Sequence, residues 1–329
     1  NVGPYLPSTS TGPPYPGAYG FSPNLVLPLS YEWNVALEKS LSTDQALSIT
    51  YVGQAGRKLL RDVGYFQPNS NFQSYFYLTE NNARSNYSAA ELQYRRTLTT
   101  RLKALASYTW SHSLDNSSSD VVSGTNTVIS AAKDYASSDF DVRQSLSGSL
   151  IYEAPSLRSG LLGLATRGWS FDTVVVARSG FPFNGSIFVE SPAQGYAYIR
   201  PDIVPGQPFW IRDPLAPGGK ILNSAAFGVP PVGPQGSEGR NDIPGFSLAQ
   251  VDFSIARKFS LTDRLDLQLR CDAFNIFNHP NFANPQAIIP YGVSQLQSTS
   301  MLNQGLGGLN PLFQEGGPRS LQLSLRLSF

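Results

Sequence analysis

Few side chains in this sequence belong to the types that do chemistry, and their spacing decides how each is read. Ser130-Ala131-Ala132-Lys133 has the S-x-x-K spacing of a nucleophilic serine beside a lysine. That chemistry needs the serine at a helix start and a K-T-G strand nearby, and the sequence has no K-T-G. In a Ser-rich stretch the match is read as chance. His112 and His279 are the only histidines, and their spacing supplies no carboxylates to complete a metal site. His279, in an F-N-H-P corner, is expected to cap a turn. Asp115, Asp120, Asp134, Asp139 and Asp141 crowd one segment, as a hard cation would favour, but without the D-x-[DN]-x-[DN]-G pattern. A solvated acidic rim is the expectation. Cys271 is the only cysteine, which excludes an intrachain disulfide and a cysteine metal site. No catalytic set, cofactor site or metal centre is expected, and no enzyme activity.

Binding is the better prospect. Tyr75, Phe76, Tyr77, Phe181, Phe183, Tyr196, Tyr198, Phe209 and Trp210 lie in irregular, Asn/Ser- or Pro-rich stretches. Aromatic faces suit sugar rings or apolar ligands, and they equally suit packing loops into a lid. The sequence leaves both open. A second set, Glu91, Arg95, Lys103, Arg143, Asp172, Arg178, Asp252, Asp266 and Arg270, sits on segments whose alternate residues are apolar.

Those segments are strands. The clearest is the last, where Leu321, Leu323, Leu325, Leu327 and Phe329 alternate with Ser, Gln and Arg. Successive strand residues point to opposite faces, so one face is wholly apolar and the other polar. The same pattern marks eight earlier strands, near 31–38, 47–52, 86–97, 101–113, 139–153, 169–178, 251–256 and 265–270. Residues 1–29 carry seven prolines and read as an extended loop. Stretches 53–85, 114–138, 181–245 and 278–319 read as long loops; the connections between them are short.

Composition and loop lengths together choose the architecture. Charged residues make up 14% of the 329 residues, against about 25% in ordinary soluble domains. Yet no run approaches the ~18 apolar residues of a membrane helix. A transmembrane β-barrel has both properties, because its apolar residues occupy every second position. Antiparallel strands send alternate connections to opposite ends, so one rim is trimmed and the other elaborate, as in outer-membrane barrels with short periplasmic turns and long extracellular loops. The net charge of +1 gives no reason to expect nucleic acid. The expected fold is all-β: about nine up-and-down antiparallel strands of a transmembrane barrel, with the second charged set lining its interior.

Several runs carry a family resemblance: YSAAELQYRR from Tyr87, YTWSHSLD from Tyr108, DFDVRQSL from Asp139, RSGFPF from Arg178 and RCDAFNIFNHPNF from Arg270. In this order they resemble the C-terminal barrel half of the Oar-like TonB-dependent outer-membrane receptors, over residues 30–329. The resemblance implies a complete barrel of roughly 22 strands, filled by an N-terminal plug domain of the same parent chain and energised by TonB. The present chain is then a fragment, with 1–29 an extracellular loop and 30–329 the C-terminal part of the wall. No signal peptide or plug is expected within it. It also implies energised uptake of an unidentified ligand, contact with outer-membrane lipid, and delivery by the barrel assembly machinery, for which Leu321, Leu323, Leu325, Leu327 and Phe329 would be the signal. Two other readings remain open. A passive porin-like channel would need no plug, and a soluble or surface-attached β-rich carbohydrate-binding module would extract without detergent.

The assembly reading makes a kinetic prediction. Deleting Phe329 removes one aromatic of an interfacial girdle of many, worth about 1.5–3 kcal/mol of burial in the membrane interface, which a large barrel survives. In the full-length protein the deletion is expected to lower the outer-membrane amount and raise the periplasmic amount, while the assembled fraction melts near wild type. Cell fractionation with heat-shift gels checks this, and an unchanged outer-membrane level would contradict it.

Overall fold

The computed structural model describes residues 12–99, 101–118, 134–155, 160–191, 195–231, 235–262, 264–289, 293–302 and 316–329. Nine strands follow one another across a single sheet in chain order. They are β1 (Leu29–Ser42), β2 (Gln45–Phe66), β3 (Tyr75–Thr99), β4 (Leu102–Asp115), β5 (Gln144–Glu153), β6 (Trp169–Arg178), β7 (Leu248–Thr262), β8 (Leu265–Phe274) and β9 (Ser320–Ser328). Every neighbouring pair is antiparallel.

The register keeps the two faces continuous from strand to strand. One transverse row runs Leu37, Ile49, Leu92, Tyr108, Leu146 and Ala177; the adjoining row runs Glu38, Ser48, Gln93, Ser107, Ser147 and Val176. A slip of one residue in any pair would mix these rows, so the alternation itself holds the register. The apolar face is bare: Val35 is 70% exposed, Leu37 69%, Trp110 58% and Leu323 81%. A contiguous apolar surface of this extent is unfavourable in water and matches a hydrocarbon surrounding. At one point the face is shaped by a glycine. Gly53 lies opposite Trp33, and a Cβ there would come within 2.2 Å of the indole; the missing side chain lets the ring lie across the strand.

The turn ends are as the sequence suggests in three places, where β1–β2, β3–β4 and β7–β8 are joined by a few residues. The β5–β6 link at the same end is longer and contains a short helix, Leu161–Thr166.

Three expectations need correction. The stretch 53–85 is not a long loop: β2 runs on to Phe66 and β3 starts at Tyr75, paired through two register shifts near Leu59. Backbone hydrogen bonds need no apolar alternation, and polar cross-links such as Thr79 Oγ1 to Asp62 (2.6 Å) and Arg57 to Asn86 (2.8 Å) replace it. Because β4 pairs with β3 only up to Ser85, the hairpin projects past its neighbour by about ten residues, roughly 33 Å of strand. Within the proline-rich N-terminal stretch, Ala18–Phe21 forms a short strand parallel to 76–79 of that hairpin. Finally, β5 begins at Gln144 rather than near 139, since Asp141 turns its carboxylate to the Ser113 amide (2.8 Å) instead of entering the ladder.

Among the described residues the sheet does not close. β1 pairs only with β2, and β9 only with β8.

Facing can be tested with adjacent residues. Leu146 is on the apolar face and Ser147 on the polar one. Arginine on a lipid-facing barrel position costs about 2–4 kcal/mol at the midplane, falling toward the interfaces. Leu146→Arg is expected to reduce heat-modifiable, membrane-assembled protein much more than Ser147→Arg. Equal tolerance of the two would mean that the faces are misassigned.

Candidate functional site

The long connections build a layer of their own over the elaborate end of the sheet. Its core is Ile187, Ile199, Leu222, Ala226, Phe227, Ile243, Ala287, Ile289 and Leu296, drawn from the β6–β7 and β8–β9 connections. Several expected binding aromatics belong to this core. Phe183, Phe209 and Trp210 pack against it, with Phe209 stacked on Phe227 and Trp210 edge-on to Phe183 and Phe246. The Trp210 indole donates to the Pro244 carbonyl (3.0 Å). Lys220 lies over both Trp210 and Phe246, at 4.1 and 4.5 Å, and burial there lowers its ammonium pKa. Packing accounts for these three aromatics.

The others stand elsewhere. Phe181 lies under the Arg178 guanidinium at 4.1 Å, so that one predicted interior charge and one predicted rim aromatic form a pair. Tyr196 and Tyr198 belong to a small hairpin, Ile187–Ser191 with Gly195–Ile199; Tyr198 contacts Phe188 and is 40% exposed. Tyr75, Phe76 and Tyr77 are in strand β3, not a loop, and join two aromatic groups on the projecting hairpin: Phe66, Tyr75, Tyr77 and Tyr19 in one, and Phe76, Phe72 and Tyr15 in the other. Tyr19, stacked on Tyr77, is 75% exposed.

Ion pairs, all but one of them buried, fasten the layer to the sheet. Arg240 reaches Asp115 at the end of β4 (2.6 Å) and Asp139 (2.9 Å). Asp134 is held between Arg61 of β2 (2.6 Å) and Arg200 (3.1 Å). Asn241 donates to the Ser137 carbonyl and Asp139, each at 2.8 Å. Asp141 accepts from the Ser113 amide and contacts His112 Nδ1 at 2.9 Å. The expected solvated acidic rim is therefore corrected: Asp115, Asp134 and Asp141 are buried, and their charges are matched by arginines or hydrogen bonds. Asp120 and the Ser130–Lys133 motif lie outside the described residues. Among the described residues no group of three or more His, Cys, Asp or Glu converges as a metal site would require.

The polar face carries the predicted interior charges in three arrangements. Arg270 bridges Asp172 (3.0 Å) and Asp272 (2.7 Å), and Lys258 meets Asp266 (2.8 Å). Asp252 accepts from the Asn275 amide and from Gln250. Asn275 in turn holds the His279 and Gly317 carbonyls (2.8 and 2.9 Å), so Asp252 anchors the last loop. His279 sits in that turn, its amide donating to Asn275 Oδ1. Glu91, Arg95 and Lys103 stand exposed on the same face. Arg143 is exposed just before β5, its carbonyl accepting from Ser111.

One group had no sequence signal at all. Glu238 is buried, with one carboxylate oxygen accepting from the Gly185 amide (2.9 Å) and the other without a partner among the described residues. Burial, above all, pushes its pKa up to about 8; the Gly185 bond opposes this, nearby Asp242 adds to it, and Arg200 opposes it.

Comparison with known proteins agrees with this geometry. The outer membrane beta barrel domain family matches residues 1–322. An outer membrane transporter of Escherichia coli, YddB, superposes with a TM-score of 0.51 at 8% identity, over 93% of this chain and 33% of its own. The ferric enterobactin receptor of Pseudomonas aeruginosa gives 0.45 at 13% identity, over 92% and 31%. The chain thus spans about a third of the solved structures it matches. Among curated sequences nothing matches. The chain belongs to the outer membrane β-barrel domain family, and its place is the bacterial outer membrane.

The Glu238 environment yields a pH prediction. A carboxyl whose pKa is raised in the folded state contributes most stability below its unfolded value of 4.5, and that contribution is lost as pH rises toward about 8. Protection of the Gly185 amide, corrected for intrinsic exchange, is expected to fall across this interval. Glu238→Gln is expected to flatten the profile; a wild-type profile flat from the start would contradict the assignment.

Proposed function

We propose that this outer-membrane chain is part of the wall and extracellular lid of a TonB-dependent receptor that takes up an unidentified ligand. The observation carrying this reading is the division of labour within the sheet. Three tight turns and one short helical link lie at one end, and a loop layer with its own apolar core and buried ion pairs lies at the other. A passive channel gains nothing from so much ordered structure over its mouth, whereas a receptor that captures ligand before moving it inward does. In this reading Glu91, Arg95, Lys103, Asp172, Asp266 and Arg270 line the lumen and face a plug supplied by the rest of the parent chain. Tyr19 and Tyr198 are the exposed aromatics best placed to meet ligand, with half-buried Tyr77 stacked against Tyr19. The two unpaired edge strands, β1 and β9, are where the rest of the wall attaches, since a strand edge in hydrocarbon must be paired.

Conductance separates this from the passive channel. Purified full-length protein in a planar bilayer is expected to be closed, and to open reversibly when moderate urea unfolds an interior domain but not the wall. A steadily open pore without urea would favour the passive channel and overturn the receptor reading.

A further inference from the structure

Arg257 breaks the pattern of the apolar face. Along β7 the outward residues are Val251, Phe253, Ile255, Arg257 and Phe259, and Arg257 is paired across the ladder with Trp169 on one side and Leu269 on the other. Its neighbour Lys258 points the other way and meets Asp266. The Arg257 guanidinium is placed by two rings, with its centre 5.1 Å from Trp169 and 4.6 Å from Phe259. This position is five residues before the end of β7, on the side of the tight turns.

Two grooves meet beside it. One, of about 570 Å³, is lined by Trp169, Arg257, Phe259, Leu269, Leu323 and Leu325. The other, of about 350 Å³ and almost wholly apolar, lies between the sheet and the β5–β6 connection, lined by Tyr152, Pro155, Ala165, Trp169 and Phe171. Trp169 and Ile255 border both. The Trp169 indole N–H is engaged with the Ala165 carbonyl (2.9 Å), which ties the short helix to the sheet beside the second groove.

We propose that this juncture is a binding site for one glycerophospholipid of the periplasmic leaflet, its phosphate on Arg257 and its acyl chains in the two grooves. Charge complementarity selects the occupant. A planar guanidinium takes a phosphate through two parallel hydrogen bonds, and the apolar walls that converge on it suit hydrocarbon. A long cationic side chain on a lipid-facing strand also reaches toward the headgroup level. The proposal rests on the membrane facing argued above, and it goes beyond it by naming one lipid position in place of a uniform annulus.

Native mass spectrometry of the full-length protein, delipidated and titrated with phosphatidylglycerol, tests this. One cation near a membrane surface is worth about 1 kcal/mol, so Arg257→Gln is expected to retain roughly fivefold less phosphatidylglycerol. Lys258→Gln, one residue away and inward, is expected to match wild type. Equal retention by wild type and Arg257→Gln overturns the proposal. Should Arg257→Gln fail to assemble, competition on the wild type decides: diacylglycerol, which lacks the phosphate, is expected not to displace phosphatidylglycerol, and equal displacement overturns the site. A wrong membrane facing would show itself separately, as equal tolerance of arginine at Leu146 and Ser147.

Discussion

In hydrocarbon there is no water to satisfy a backbone amide or carbonyl, so each must find its partner within the protein. That requirement organises this molecule. From β1 to β9 each strand is laddered to the next without interruption in order, and the alternation of side chains then follows from strand geometry. One face becomes apolar and the other polar across the whole width. The polar face needs no fine specification, and Ile151, Val174 and Val176 sit on it among serines and charges. The apolar face is stricter, and Arg257 is an exception held by two aromatic rings.

Beyond the membrane the constraint relaxes and a different logic takes over. The loop layer has a small apolar core, too small to position itself on the sheet by area alone. Its placement depends on a few specific charge contacts: Arg240 on Asp115 and Asp139, and Arg61 and Arg200 on Asp134. Removing one member of such a buried pair is costly because the other charge is stranded. These contacts therefore act as locators, each valid in one arrangement of loop on wall.

This contrast explains what the sequence made legible. Strand identity and facing were readable wherever period two was clean, as in β4 and β9. The β2–β3 hairpin was not, because its outer part is held by backbone pairing and polar cross-links among Asn, Ser, Arg and Asp, residues that otherwise signal loops. The layer's fastenings were invisible for another reason. Arg61 and Asp134 are 73 residues apart, Arg200 and Asp134 are 66 apart, and Arg240 and Asp115 are 125 apart, and no local spacing encodes a contact of that range. Asp115 and its neighbours looked like a solvated acidic rim because their counter-charges were scattered singly through distant sequence, Arg61 in strand β2 and Arg200 and Arg240 in the proline-rich β6–β7 connection. The aromatics were ambiguous in principle, since a ring that packs a lid and a ring that meets a ligand share one composition. Burial separates Phe209 and Trp210 from Tyr19 and Tyr198.

The burial of the fastening pairs has a consequence for a surface that meets changing water. Mobile ions screen exposed charges over a Debye length of about 8 Å at physiological salt, and less in brine, but they penetrate little into a dry contact. The Arg61–Asp134 pair, with both side chains 5% exposed, is beyond their reach, whereas Lys258 and Asp266 on the open face, at 57% and 33%, are not. A cell moving from dilute to saline surroundings would thus weaken the field over the polar face of the sheet while leaving the buried Arg61–Asp134 contact nearly untouched. The loop layer keeps its seat on the sheet when the electrostatics of the polar face change.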